Sequence, residues 1–353
     1  MTTGGGLTNI SDETLPIRLT LLRDESPSGY ILKLSADLGH PYAILCRFLK
    51  LTRHDAAREN LRAAKILGLS DREWKEMTYG ALKVGRFRKR EVRGHILNAD
   101  RLCLSRPRIC PRCLVVSAHC RWYWDLSLYC YCHVHRCAMV SMCDACKQNL
   151  KWDRPAPSFC ACGSNLARQA PETGAEFGLI CSDVIITVAV GEKALLHRHV
   201  SELSLNSVFS LLFLLSQLKS SSGSLQTGSS DLAYCREICL SAGGILVDWP
   251  KSFHALLGDL QARRHHEHPN PMRDLFGSSY NAWLDLVRRP EFGFLVAEYQ
   301  QFLLQSWDEP IPPQGHAFRL VGASSNVLSL AEAARRAQVI PTCIKEAYRA
   351  GEN

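Results

Sequence analysis

The sequence predicts a mainly α-helical protein, in which a helical, helix-turn-helix-like N-terminal domain and a helical C-terminal domain flank a centre of a different kind. Three observations predict it. Apolar residues recur at helical spacing behind capping residues in the first hundred positions and again from Leu203 onward. Eleven of the sixteen cysteines fall between Cys103 and Cys162. Residues 108–168, dominated by Cys, His and aromatics, lack amphipathic periodicity, so this segment needs something other than a conventional core to fold. At 353 residues there is room for two or three domains, and the expected division is 1–107, 108–168, 169–309 and 310–353.

Taken in order, Ser26 and Pro27 offer a cap and a first helical residue, and Tyr30, Ile31, Leu34 and Leu38 follow on one face. Gly39-His40-Pro41 breaks this run before a short helix over Tyr42–Leu51. A third helix is expected from Asp55 to Leu67, stopping at Gly68, and Ser70 with Glu73 forms a capping box that opens a fourth. The first hundred residues thus read as helical. After the centre, helices are expected over Asn206–Leu218, Asp231–Ser241, Lys251–Arg264, Ser278–Arg289 and Glu291–Trp307, with a flexible Ser/Gly-rich linker near 219–230. Pro310, Pro312 and Pro313 mark a boundary. Beyond it, Ser329–Arg336 and Thr342–Arg349 outline a second small helix-turn-helix, or a plain helical hairpin.

The cysteines come largely in pairs. Cys110-x-x-Cys113 is followed after eighteen residues by Cys132-x-x-His135, and Cys143-x-x-Cys146 after thirteen by Cys160-x-Cys162. In a long chain without a secretion pattern such pairs are metal ligands rather than disulfides, because each supplies one edge of a tetrahedron. Two intervening residues let backbone amides turn toward the thiolates while both side chains reach one ion. The expectation is two tandem zinc-ribbon modules and two Zn2+ ions. Cys130 with His133 makes an equally spaced alternative to Cys132 with His135, and the remaining cysteines are expected as packed thiols. The short Arg136–Met142 segment favours sequential over interleaved pairing.

Charge is confined. Between Lys83 and Arg112 ten basic residues stand against Glu91 and Asp100, so this tract carries the entire net charge of +8. The candidate nucleic-acid-binding residues are Lys83, Arg86, Arg88, Lys89, Arg90, Arg93, Arg106 and Arg108, with Arg335 and Arg336 from the C-terminal helices. A solvated basic loop is the plainer alternative. No catalytic residue is expected. Four ligands per ion leave no open position, no H-E-x-x-H, phosphate loop or nucleophile elbow occurs, and the one H-x-E, at His265-His266-Glu267, lies downstream of every cysteine pair. The apolar run Val208–Leu218 is too short and too interrupted to span a bilayer, so no membrane association and a cytoplasmic location are expected.

The order of these features resembles the TniQ/TnsD family, the target-site selectors of DNA transposons. Asp24-Glu25-Ser26 followed by Gly29-Tyr30-Ile31-Leu32-Lys33-Leu34-Ser35 is similar to the family's opening, with Lys33 and Ser35 in place of the usual Arg and Ala. Cys110-Pro111-Arg112-Cys113-Leu114, then Arg121 and Trp124, Cys132-x-x-His135, Cys143-x-x-Cys146 and Cys160-Ala161-Cys162-Gly163 with Leu166 follow the family's central order. Trp249-Pro250-Lys251-Ser252-Phe253 looks like a segment of its longer members. This register favours Cys132 and His135 as ligands. The resemblance implies a non-enzymatic adaptor that reads target DNA or a CRISPR effector ribonucleoprotein, recruits an AAA+ transposition ATPase, and in some members forms a homodimer. A zinc-dependent DNA-binding transcription regulator is the alternative.

Overall fold

A computed structural model describes residues 14–52, 60–84, 87–191, 198–220, 231–264 and 271–306. The expected C-terminal helix pair with Arg335 and Arg336, the His265–His268 turn, Arg86 and most of the expected linker lie outside these residues. The protein is mainly α-helical, and the chain divides into two compact units, Met1–Phe209 with Gln226–Leu240 and Ser210–Leu225 with Ser241–Asn353.

The first unit opens with four short helices whose ends are written in their caps. Helix α1 (Pro27–Asp37) starts where Ser26 Oγ accepts from the Gly29 amide at 3.1 Å, and it buries Tyr30, Ile31, Leu32 and Leu34. It stops at Gly39, whose φ of +67° suits a residue without a Cβ. Helix α2 (Tyr42–Phe48) follows Pro41. Helix α3 (Leu61–Ile66) is capped by the Asn60 side chain, and α4 (Asp71–Met77) by the Ser70/Glu73 box, in which each side chain satisfies the other's backbone amide.

The helical reading of the first hundred residues stops at Met77. Residues 80–98 form a three-stranded antiparallel sheet, β1 (Gly80–Val84), β2 (Phe87–Val92) and β3 (His95–Asn98), paired in chain order. Its β2–β3 turn is Arg93-Gly94, with φ of 51° and 83°, the left-handed pair that matches strand twist. Burying Val92 and Leu97 while leaving Ile96 exposed is a two-residue alternation that a helix could not satisfy. The start of the basic tract, with Lys83, Arg88, Lys89 and Arg90, therefore lies on strands.

The centre is stapled rather than layered. It holds one short helix, α5 (Pro111–Val116), a minimal hairpin of β4 (Tyr131–Cys132) and β5 (Cys137–Ala138), and isolated bridges such as Ile109↔Val140 and Met142↔Asn149. Helix α6 (Glu176–Val190) lies against β4, and its Gly178 packs so closely on the Tyr131 ring that a Cβ there would overlap it. Helix α7 (Arg198–Ser201) follows, and the early part of α8 (Leu205–Lys219) and of α9 (Leu232–Leu246) complete this unit.

The second unit is built around aromatic rings on α10 (Lys251–Ala262), α11 (Pro271–Phe276), α12 (Tyr280–Val287) and α13 (Gly293–Ser306). Trp283 is the hub: Phe276 stacks on it at 4.4 Å, Tyr299 meets it edge-on at 5.1 Å, and Phe253 stacks at 6.4 Å. Trp249 stacks in turn on Phe253 at 4.9 Å, which gives the W-P-x-x-F segment a packing role. No helix among the described residues is long and apolar enough to cross a membrane.

Candidate metal centres and basic surface

Two sets of four side chains converge. In the first, the Cys113 amide donates to Cys110 Sγ and the His135 amide to Cys132 Sγ, each at 3.4 Å. These are the turns that a two-residue spacing imposes when the thiolate accepts its own loop's amide. Cys113 and Cys132 sulfurs stand 3.7 Å apart. His135 Nδ1 lies 3.7, 3.2 and 3.6 Å from the sulfurs of Cys110, Cys113 and Cys132. In the second set Cys143 and Cys162 sulfurs are 3.9 Å apart and those of Cys146 and Cys160 are 3.8 Å apart. Within each set all four ligand atoms lie within 4.8 Å of one another.

These separations test the expected metal. Zinc bonds of about 2.3 Å to sulfur and about 2.0 Å to nitrogen give tetrahedral edges of about 3.8 Å between sulfurs and about 3.5 Å between sulfur and nitrogen. Both sets can hold such an ion. Within the second set burial opposes ionisation of Cys143, but the amides of Cys146 and Ala145 outweigh it and bring that thiol down to about 7, whereas burial pushes the Cys160 thiol up to about 12. Four protein donors would complete each tetrahedron, the pattern of a structural rather than a catalytic site. The pairing is sequential. Cys130 and His133 stand apart from these sets: Cys130 faces the Ser127 carbonyl and His133 the Tyr129 hydroxyl.

The N-terminal segment is locked onto the first module. The Ser26 amide donates to the Cys120 carbonyl, and the Trp122 amide to the Asp24 carbonyl. Asp24 holds His119 Nε2 at 2.8 Å and Arg121 Nε at 3.2 Å. Burial works against the Asp24 carboxylate, yet these two partners keep it below its ordinary range. Glu25, fully buried, pairs with Lys33 at 2.9 Å, so the lysine standing where the resemblance expects an arginine keeps the charge. Arg121 also lies over the Trp124 ring at 5.2 Å. The motif residues of the opening segment thus act together as a clasp, a role that spacing along the chain does not reveal because its two halves are some 95 residues apart.

The basic residues separate into two kinds. Arg88 is exposed on β2, directly across the ladder from the position of Lys83, and Lys89 is half-exposed beside it. Arg90 and Arg93 turn inward, donating to the carbonyls of Tyr79 and Glu25. Arg106 is exposed, 3.8 Å from Asp231. Arg108 departs from its expected role: it is buried, donating to the Ser127 carbonyl and reaching Cys235 Sγ at 3.6 Å, so it cannot meet a phosphate at the surface. Compared with protein-family models, residues 16–139 match the family described as TniQ, a span that takes in the clasp, the sheet and the first metal set. Among curated proteins none matches the chain.

Proposed function

From the premise that this chain is a TniQ-family protein, carried by its TniQ domain over residues 16–139, we propose that it is a non-enzymatic target-selection adaptor of DNA transposition. The family is a transposition-associated adaptor family. In this reading one surface engages the target, either duplex DNA or an RNA-guided effector complex, and another recruits an AAA+ transposition ATPase. The TniQ domain is the observation that carries it. The clasp and the two closed donor sets support it, because they make a scaffold held by metal rather than a metal site open to substrate. The basic β1–β2 hairpin supports a phosphate-bearing partner, since backbone contacts supply affinity and register without reading sequence.

The test is co-purification of the full chain with an AAA+ transposition ATPase and its transposase, together with duplex binding at two salt concentrations. If the side chains of Lys83, Arg86, Arg88 and Lys89 each meet a phosphate, affinity for duplex falls about a hundredfold between 50 and 200 mM salt. Retention of the ATPase with salt-sensitive DNA binding supports an adaptor that reads DNA. Retention of the ATPase and of an effector ribonucleoprotein, without DNA binding, supports the guided route. DNA binding with no transposition partner retained overturns the adaptor reading in favour of a transcription regulator.

A further inference from the structure

Five metal-binding side chains gather at the first cluster, one more than a tetrahedron uses. Cys137 stands directly across the β4–β5 ladder from Cys132, and its sulfur is 3.6 Å from that of Cys110, close to the edge length of a tetrahedral zinc site. It is almost completely buried. Other cysteines outside the two donor sets behave as packed thiols that face carbonyls: Cys103 toward Arg106, Cys130 toward Ser127, Cys181 toward Cys239 and Cys239 toward Leu128. The thiol of Cys137 instead meets the sulfurs of Cys110 and Cys132. His135 has the opposite situation. It sits in the four-residue turn joining β4 to β5 and is half-exposed, whereas its three sulfur partners are buried. Of the four donors it is the one most open to water.

We propose that Cys137 is a reserve ligand of the first metal ion, able to take the place of His135 so that the ion passes from three sulfurs and one nitrogen to four sulfurs without leaving the protein. In the exchange the bond from zinc to His135 Nδ1 breaks and a bond from zinc to Cys137 Sγ forms. The thiol proton leaves to the surrounding water as that bond forms, and zinc stays divalent throughout. The hairpin favours this because the ladder holds Cys132 and Cys137 opposite one another, with the Cys137 sulfur already 3.6 Å from that of Cys110. The result is a freed, half-exposed His135 side chain and a fold still stapled by four protein donors.

This rests on the reading of the cluster as a zinc site, and cobalt substitution in the full chain separates the two. Cobalt is counted per chain, and its thiolate charge-transfer absorption reports the number of sulfurs bound. Wild type is expected to bind two ions. His135→Ala is expected to bind two as well, with absorption from the first site raised by about one third as three thiolates become four. His135→Ala combined with Cys137→Ser is expected to bind one. Two ions in wild type and one in His135→Ala overturn the reserve ligand alone, whereas no cobalt in wild type overturns the metal reading beneath it. Cys137→Ser by itself covers the case in which His135→Ala does not fold. It is expected to release its first ion to a chelator about tenfold faster than wild type, and an unchanged release rate overturns the proposal.

Discussion

Asp24 and Gly29 sit on either side of one contact, and they fail in different ways. Asp24 lends its carboxylate to His119 and Arg121 while its side chain keeps 39% exposure, so water screens part of the attraction. Asp24→Asn is expected to lower stability by about 1 kcal/mol in urea unfolding. At Gly29 a Cβ would stand 2.7 Å from the Cys120 Cβ and 2.8 Å from Ser26 Oγ, neither of which is the free end of a flexible chain. Gly29→Ala is therefore expected to cost more, about 1–3 kcal/mol, by prising α1 from the Cys120 loop. Asp125 carries the pH dependence. It is buried, accepts from the Tyr79 hydroxyl at 2.6 Å, and burial raises its carboxyl from 3.8 to about 7 against the pull of Tyr79 and Arg108. Between those values the folded chain keeps a proton that the unfolded chain has lost. The stability this group contributes is thus greatest in acid and falls as pH rises through about 7. Unfolding at pH 6 and pH 8 in the presence of zinc should show Asp125→Asn gaining on wild type at the higher pH, by at most about 1.4 kcal/mol per pH unit.

The β1–β2 hairpin is the element whose charges work against its own stability. Lys83 and Arg88 occupy directly opposite positions in the ladder, and like charges so placed repel. Arg88→Ala is expected to leave the melting temperature unchanged or slightly raised. Duplex binding should weaken, and the logarithmic salt slope should fall by about 1. Arg108→Ala is the control from the same stretch of sequence. Its guanidinium is buried against Ser127 and Cys235, so its loss should destabilise by about 3 kcal/mol while leaving the salt slope of any remaining DNA binding intact. A melting temperature that drops for Arg88→Ala, with DNA binding untouched, would return the hairpin to a purely structural role.

The two compact units draw on different sources of cohesion. The first combines two donor sets with a core of its own: the segment from Cys110 to Cys162 has only two-residue strands and a six-residue helix, around which it buries Trp124, Leu128, Tyr129 and Met139. Among the described residues the second packs Phe253, Phe276, Trp283 and Tyr299 into an ordinary aromatic core. Chelation should therefore unfold the first unit while the second keeps its helical signal, giving two steps by circular dichroism. Metal analysis should find two zinc ions per chain in wild type and one in Cys143→Ser, whose set has four donors and no fifth among the described residues. Loss of both ions from that variant would mean that the two sites fold as one.

The sequence by itself determined what is local. Capping residues and left-handed glycines depend on a few neighbours along the chain, so Ser26 and the Ser70/Glu73 box announce their helices. The two donor sets were legible for the same reason, since a knuckle such as Cys110-x-x-Cys113 is a single turn of backbone. Arg93-Gly94 was an equally local hairpin signal, masked by the density of charge around it. Only the tertiary structure decided which basic side chains face water, because Arg88 and Arg108 are indistinguishable as letters and differ by what packs over them. It likewise decided that Asp24 meets His119 and that Cys137 meets Cys110. Such partners are chosen by the closing of loops around a core, and the energy that selects them lies in contacts no stretch of sequence contains.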